Sequence, residues 1–154
     1  MSETVQEITT VVIKMKFMKK MTIILSFLTC VLLSSTCEKD KDKHDLIMFT
    51  NNSSELIYVR GSWEYPDTAI NFSNPALAGD FYKVAANTSD DPLRLQDTYE
   101  GRFEQFEKVM VFVFDAQVLE TTPWDTVKAK YLVLKRYDLS LQDLESMNWT
   151  ITYP

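Results

Sequence analysis

Trp63-Glu64-Tyr65-Pro66-Asp67 sets two aromatic rings and two carboxylates within five residues. Sugar rings stack on exposed indole and phenol faces while carboxylates accept their hydroxyl hydrogens. Trp63, Glu64, Tyr65 and Asp67 are therefore the ligand-binding candidates, with a glycan as the ligand class. The competing expectation is that Trp63 and Tyr65 turn inward and close the end of a sandwich, since large aromatics are highly buried on average. Asn87-Thr88-Ser89-Asp90-Asp91 gathers hard oxygens of the kind calcium uses, but it lacks the glycine turn and spaced acids of an EF-hand. It is expected to be a solvated turn before Pro92. Glycoside hydrolysis needs two carboxylates on separate elements about 5 to 9 Å apart; the spacing of Glu64, Asp67, Glu104, Glu107 and Asp115 singles out no pair.

The counts exclude further chemistries. The sole histidine, His44, falls in a charged stretch with no framework to hold it against a nucleophile, which removes a Ser/His/Asp triad. A single histidine cannot build a zinc site of two or three imidazoles, and two cysteines cannot supply an all-thiolate site of four ligands. Gly61, Gly79 and Gly101 stand too far apart for a phosphate-cradling loop. A net charge of -6 leaves no electrostatic footprint for a nucleic-acid partner. No catalytic residue, metal ligand or cofactor is assigned, and the protein is expected not to be an enzyme.

The amino terminus reads as an address. Met18-Lys19-Lys20 leads into the apolar run Met21 to Leu33, broken only by Thr22, Ser26 and Thr29, and then into Ser34-Ser35-Thr36-Cys37. A basic end, an apolar stretch that enters the translocon and small residues that admit a peptidase make residues 18–36 a signal peptide. A membrane-spanning helix needs about 20 apolar residues, and the strongly apolar part is shorter. Residues 1–17 carry Glu3 and Glu7 ahead of the basic segment and read as an upstream extension, with translation from Met15 or Met18 giving a compact signal.

Leu33-Ser34-Ser35-Thr36-Cys37 resembles a bacterial lipobox, in which the cysteine thiol is acylated and becomes the first residue of the mature protein. Ser34 stands where a leucine is usual. The following Glu38-Lys39-Asp40-Lys41-Asp42-Lys43 resembles the acid-containing stretch of surface-exported lipoproteins of the Bacteroidota. Val113-Phe114-Asp115, Leu134 to Leu139 and Asn148 to Pro154 are similar to the tail of small lipoproteins of that group. The resemblance implies lipidation at Cys37 with palmitate-type chains, attachment to the outer membrane of a bacterial envelope, exposure at the cell surface and a kindred fold. It implies no catalytic residue. Asp67-Thr68-Ala69 and Asp125-Thr126-Val127 resemble the pattern at which the Bacteroidota O-glycosylate exported proteins, making Thr68 and Thr126 candidates.

With Cys37 first, the mature chain has 118 residues, twelve basic against twenty acidic, a net charge of -8 and no disulfide partner. Its body must be held by its core alone. Residues 37–45 contain no apolar side chain after the cysteine and are expected as a charged tether; residues 46–154 form one domain.

Within that domain the hydrophobic period is mostly two. Leu46 to Thr50 and Leu56 to Arg60 flank Asn51-Asn52-Ser53-Ser54 and read as a hairpin. Phe81 to Ala85 and Pro92 to Leu95 are shorter strand candidates. Val109 to Phe114 is apolar on both faces and should be a central strand, and Trp149 to Tyr153 alternates as a half-exposed one. Thr122-Pro123-Trp124-Asp125 opens a helix carrying Val127, Tyr131 and Leu134, and Ser140-Leu141-Gln142-Asp143 opens a shorter one. The fold expected is mainly β: a two-layer β-sandwich of about seven strands with two short helices before the last strand. An α+β sheet covered on one face by the helices is the alternative.

These features support a membrane-anchored, non-catalytic binding or accessory module. A small envelope inhibitor or immunity-type protein, steered to a basic partner by its charge, is the second reading. A two-carboxylate carbohydrate-active enzyme is the third.

Overall fold

The computed structural model describes residues 43–154. The extension, the signal peptide, Cys37 and most of the tether lie outside the described residues.

Among the described residues, seven strands form two sheets. β1 (Met48–Asn51) is the middle of a three-stranded sheet, antiparallel to β4 (Thr88–Asp90) and parallel to β7 (Thr150–Tyr153). β2 (Ile57–Ser62) and β5 (Val109–Asp115) are the middle of an antiparallel four-stranded sheet, with β3 (Lys83–Val84) and β6 (Lys135–Leu139) at its edges. The fold is mainly β and sandwich-like, as expected.

The central strand shows how the layers are built. Side chains alternate across a strand, so Val109, Val111 and Val113 enter the core between the sheets, where they meet Phe49, Ile57, Val59 and Ile151. Met110, Phe112 and Phe114 enter a second core on the opposite face, with Tyr58, Leu119 and Val127. Slim β-branched chains serve the sheet-to-sheet layer, and bulky ones fill the space beneath helices α2 (Ala116–Thr121) and α3 (Trp124–Ala129). The two alternatives for the fold are thus combined: a sandwich whose larger sheet carries helices on its outer face.

Several local expectations are corrected. β1 and β2 do not form a hairpin. They belong to different sheets, and the chain crosses between them at Asn51, which is fully buried. Its Nδ2 donates to the carbonyls of Glu55 at 2.8 Å, Val84 at 3.2 Å and Ala85 at 3.1 Å, and its Oδ1 accepts from the N–H and Oγ of Ser53. An asparagine placed so ties the ends of both sheets together through their backbone carbonyls.

The loop Asn87 to Asp91 contains strand β4, where Ser89 Oγ meets Thr50 Oγ1 at 2.8 Å, while Pro92 to Leu95 is a turn and not a strand. The helix opened by Pro123 ends at Ala129, with Tyr131 at positive φ, and Lys135–Leu139 becomes β6 between the two expected helices. Ser140 caps α4 (Leu141–Ser146) in a reciprocal box with Asp143.

Two further helical pieces were not read from sequence. A 3-10 segment, Pro75–Tyr82, is capped by Asn74 and bent at Gly79, whose φ of 64° combined with a ψ of -133° suits glycine alone. α1 (Tyr99–Phe103) is capped by Thr98.

The folded body also starts before Leu46. His44 and Asp45, expected in the tether, are docked on it through Glu100, Arg94, Trp149 and the backbone of Leu95 and Tyr99.

Candidate functional site

The aromatic-acidic loop does not assemble one surface. Trp63 keeps the face of β2 that packs against the core between the sheets, whereas the turn at Tyr65-Pro66 breaks the alternation and sends Tyr65 to the core beneath the helices. Trp63 is surrounded by Phe103, Phe106 and Tyr99, with ring centroids 5.1, 5.5 and 5.8 Å away. Tyr65 lies under the Lys108 ammonium at 4.9 Å. The acids serve the loop itself: Glu64 accepts from Asn71 Nδ2 at 3.0 Å, and Asp67 Oδ1 accepts from the Ala69 N–H at 2.9 Å. Trp63 keeps a role in a cavity of different composition; Glu64, Tyr65 and Asp67 do not join it.

That cavity is a cleft of about 310 Å³ at the edge of the larger sheet, lined by Arg60, Trp63, Tyr82, Arg94, Tyr99 and Arg102, with Gly61 and Leu93 among the remaining contacts. Its position follows from strand pairing. β3 is two residues long and covers β2 only at Ile57 and Tyr58, so from Val59 onward this edge of β2 has no strand partner. The cleft opens there. The 3-10 segment brings in Phe81 and Tyr82, the turn after β4 brings in Pro92 to Leu95, and α1 supplies Tyr99 and Arg102.

The cleft is cationic in an acidic protein. The chain has four arginines, and three of them line it. Arg94 is neutralised, its guanidinium donating to Asp91 at 2.6 and 2.9 Å and to Asp45 at 2.7 Å. Arg102 Nε lies 2.8 Å from Asp97 Oδ2 but makes no hydrogen bond. Arg60 differs from both. It donates one N–H to the Tyr82 hydroxyl and lies over the Tyr82 ring at 4.6 Å and the Phe72 ring at 5.8 Å. Among the described residues no carboxylate pairs with it.

The wall behind the cleft is held from the amino-terminal end of the body. His44 Nδ1 donates to Glu100 Oε1 at 2.7 Å and the His44 N–H to Oε2 at 2.9 Å. The Tyr99 N–H donates to the His44 carbonyl at 2.8 Å, and the Leu95 N–H to that of Asp45 at 2.7 Å. Tyr99 is buried, its hydroxyl donates to the Leu93 carbonyl, and burial pushes its phenol well above the ordinary value. These contacts fix α1 and the 92–95 turn, and with them the positions of Arg94, Tyr99 and Arg102. The expectation that His44 lacks a framework is overturned.

The hydrolytic candidates stand outside the lining. Asp115 caps α2 through the Val118 N–H at 2.8 Å, and Glu64 and Asp67 are committed to their loop. Thr88 to Asp90, raised as calcium ligands, form strand β4. No sequence signal marked the cleft, because its arginines come from β2, a turn and α1, and only folding brings them together. No family model, curated protein or solved structure matches this chain.

Proposed function

We propose that the protein is a non-catalytic binding module of a bacterial envelope, attached to the outer membrane by lipid on Cys37, and that it binds a glycan in the Arg60–Trp63–Arg102 cleft. The observation that carries this reading is the cleft itself. Ligand sites are concave, about 300 Å³ or larger, and mostly apolar with a few placed polar groups; here aromatic and aliphatic walls alternate with guanidinium donors. A lining of cations and rings, with the body's acids spent on caps and turns, favours holding a ligand over hydrolysing it.

Two experiments test the proposal. A glycan panel incubated with the full chain should give saturable binding without release of new reducing ends, and Gly61→Leu should abolish it. Gly61 lines the cleft and a Cβ there would meet Leu93 Cδ2 at 3.4 Å, so a larger side chain enters the cavity. Turnover, or binding unaffected by Gly61→Leu, overturns the assignment. Palmitate labelling of the wild type should disappear in Cys37→Ala; label retained by that variant removes the anchor from Cys37.

A further inference from the structure

We infer that the sugar taken by this cleft is acidic, and that Arg60, assisted by Arg102, binds its carboxylate. This rests on the proposed glycan-binding role and specifies its ligand. A guanidinium presents five N–H donors in a planar fork that matches a carboxylate. Arg60 uses one of them, on a neutral hydroxyl. A cation held partly out of water is ordinarily matched by a carboxylate, yet Arg60 is flanked by aromatic rings and has no acidic partner among the described residues, in a mature chain with eight more acids than bases. Arg102 is ion-paired with Asp97 through its buried Nε at 2.8 Å, which leaves its two terminal nitrogens for a second contact. Arg94, already saturated by two aspartates, is a wall and not a reader. The aromatic lining supplies faces for the C–H surface of a sugar ring, which separates this cleft from a bare anion hole.

The test is calorimetric titration of the full chain with uronic-acid disaccharides (galacturonate, glucuronate and mannuronate) and with the methyl esters of the same sugars, which keep shape and lose charge. At least one uronate should bind and its ester should bind at least about tenfold more weakly, the scale of a charge-assisted pair. Arg60→Gln should remove that preference, Arg60→Lys should restore part of it, and Arg102→Gln should weaken it with a smaller effect on packing. Arg136→Gln, in the one arginine outside the cleft, should leave binding unchanged. Thermal melts identify any variant that fails to fold, and Arg102→Gln then carries the test.

Esters that bind as well as the acids overturn the acidic-sugar inference and leave the glycan-binding role standing. An acidic dipeptide that binds in place of every uronate assigns the site to peptides and overturns the inference. No binding by any acid, ester or member of the wider glycan panel overturns both the inference and the role on which it rests.

Discussion

The imidazole of His44 lies flat on the indole of Trp149, ring centroids 3.9 Å apart and planes inclined by 14°. Trp149 reaches this position from a backbone in the left-handed region, φ 57°, directly after Asn148 at φ 52°. Such conformations are costly for a bulky residue and persist where surrounding contacts fix them. Here the Trp149 N–H is held by the Leu144 carbonyl at 2.9 Å, and its ring is stacked on His44 and touched at 5.7 Å by the tilted ring of Tyr99. The beginning of the body is thereby fastened to the start of its last strand.

Burial works against the charge on Glu100, but hydrogen bonds from the His44 ring and backbone outweigh it and hold the carboxyl below its ordinary value. A depressed value in the folded state contributes stability above the unfolded value of about 4.3, and that stability is lost as pH falls through the lower folded value. The gap in urea midpoint between wild type and Glu100→Gln should therefore be widest above about pH 5 and close towards pH 3. A gap that stays constant across this range would separate the Glu100 charge from stability.

Asn51→Ala should be among the most damaging polar substitutions. It removes donors from three carbonyls at the crossing between the sheets and the acceptor for the Ser53 N–H and hydroxyl. Glu55 and Ala85 keep a hydroxyl donor each, while the buried Val84 carbonyl loses its side-chain partner, and a buried group left unpaired costs about 1–3 kcal/mol. A total loss of about 3 kcal/mol is expected by urea unfolding, and Asn51→Asp, which keeps the shape but replaces donors by acceptors, should fare no better.

Phe112→Ala empties the core beneath the helices, where Phe112 is fully buried and meets Phe72 at 5.4 Å. The expected cost is about 3–5 kcal/mol. Leu77→Ser, at an 82% exposed position, should change stability by less than about 0.5 kcal/mol. Equal losses would contradict the layer assignment.

Trp63→Ala and Tyr65→Ala should add. Their side chains enter different cores and share no ring partner, so a double-mutant cycle should give a coupling within about 0.5 kcal/mol. A larger coupling would indicate that they form one surface after all.

Ser140→Ala removes one half of the box that opens α4, leaving the Asp143 N–H without its cap. A loss of about 1 kcal/mol is expected, seen as a lowered melting temperature.

The amino-acid order by itself determined the elements whose signal is local. Val109 to Phe114 declared its central place through apolar residues on both faces, Trp149 to Tyr153 through its alternation, and Ser140 with Asp143 through a cap that needs only three residues of separation. The same locality misled at Asn51 to Ser54: short polar residues specify that the chain turns, and their side-chain bonds do form, but they do not specify whether the next strand returns to the same sheet. β4 and β6 were missed and β3 was drawn too long, because strands of two to five residues, many of them polar, are stabilised by the partner strand and not by any pattern of their own. Tertiary structure alone decided the cleft. Arg60, Arg94 and Arg102 sit on separate elements, and the open edge of β2 exists only because β3 stops after two residues. Whether a charge is neutralised depends on which carboxylates fold beside it; Asp45 and Asp91 reach Arg94, and among the described residues none reaches Arg60. That pairing is set by distances through space, to which neighbours along the chain carry no guide.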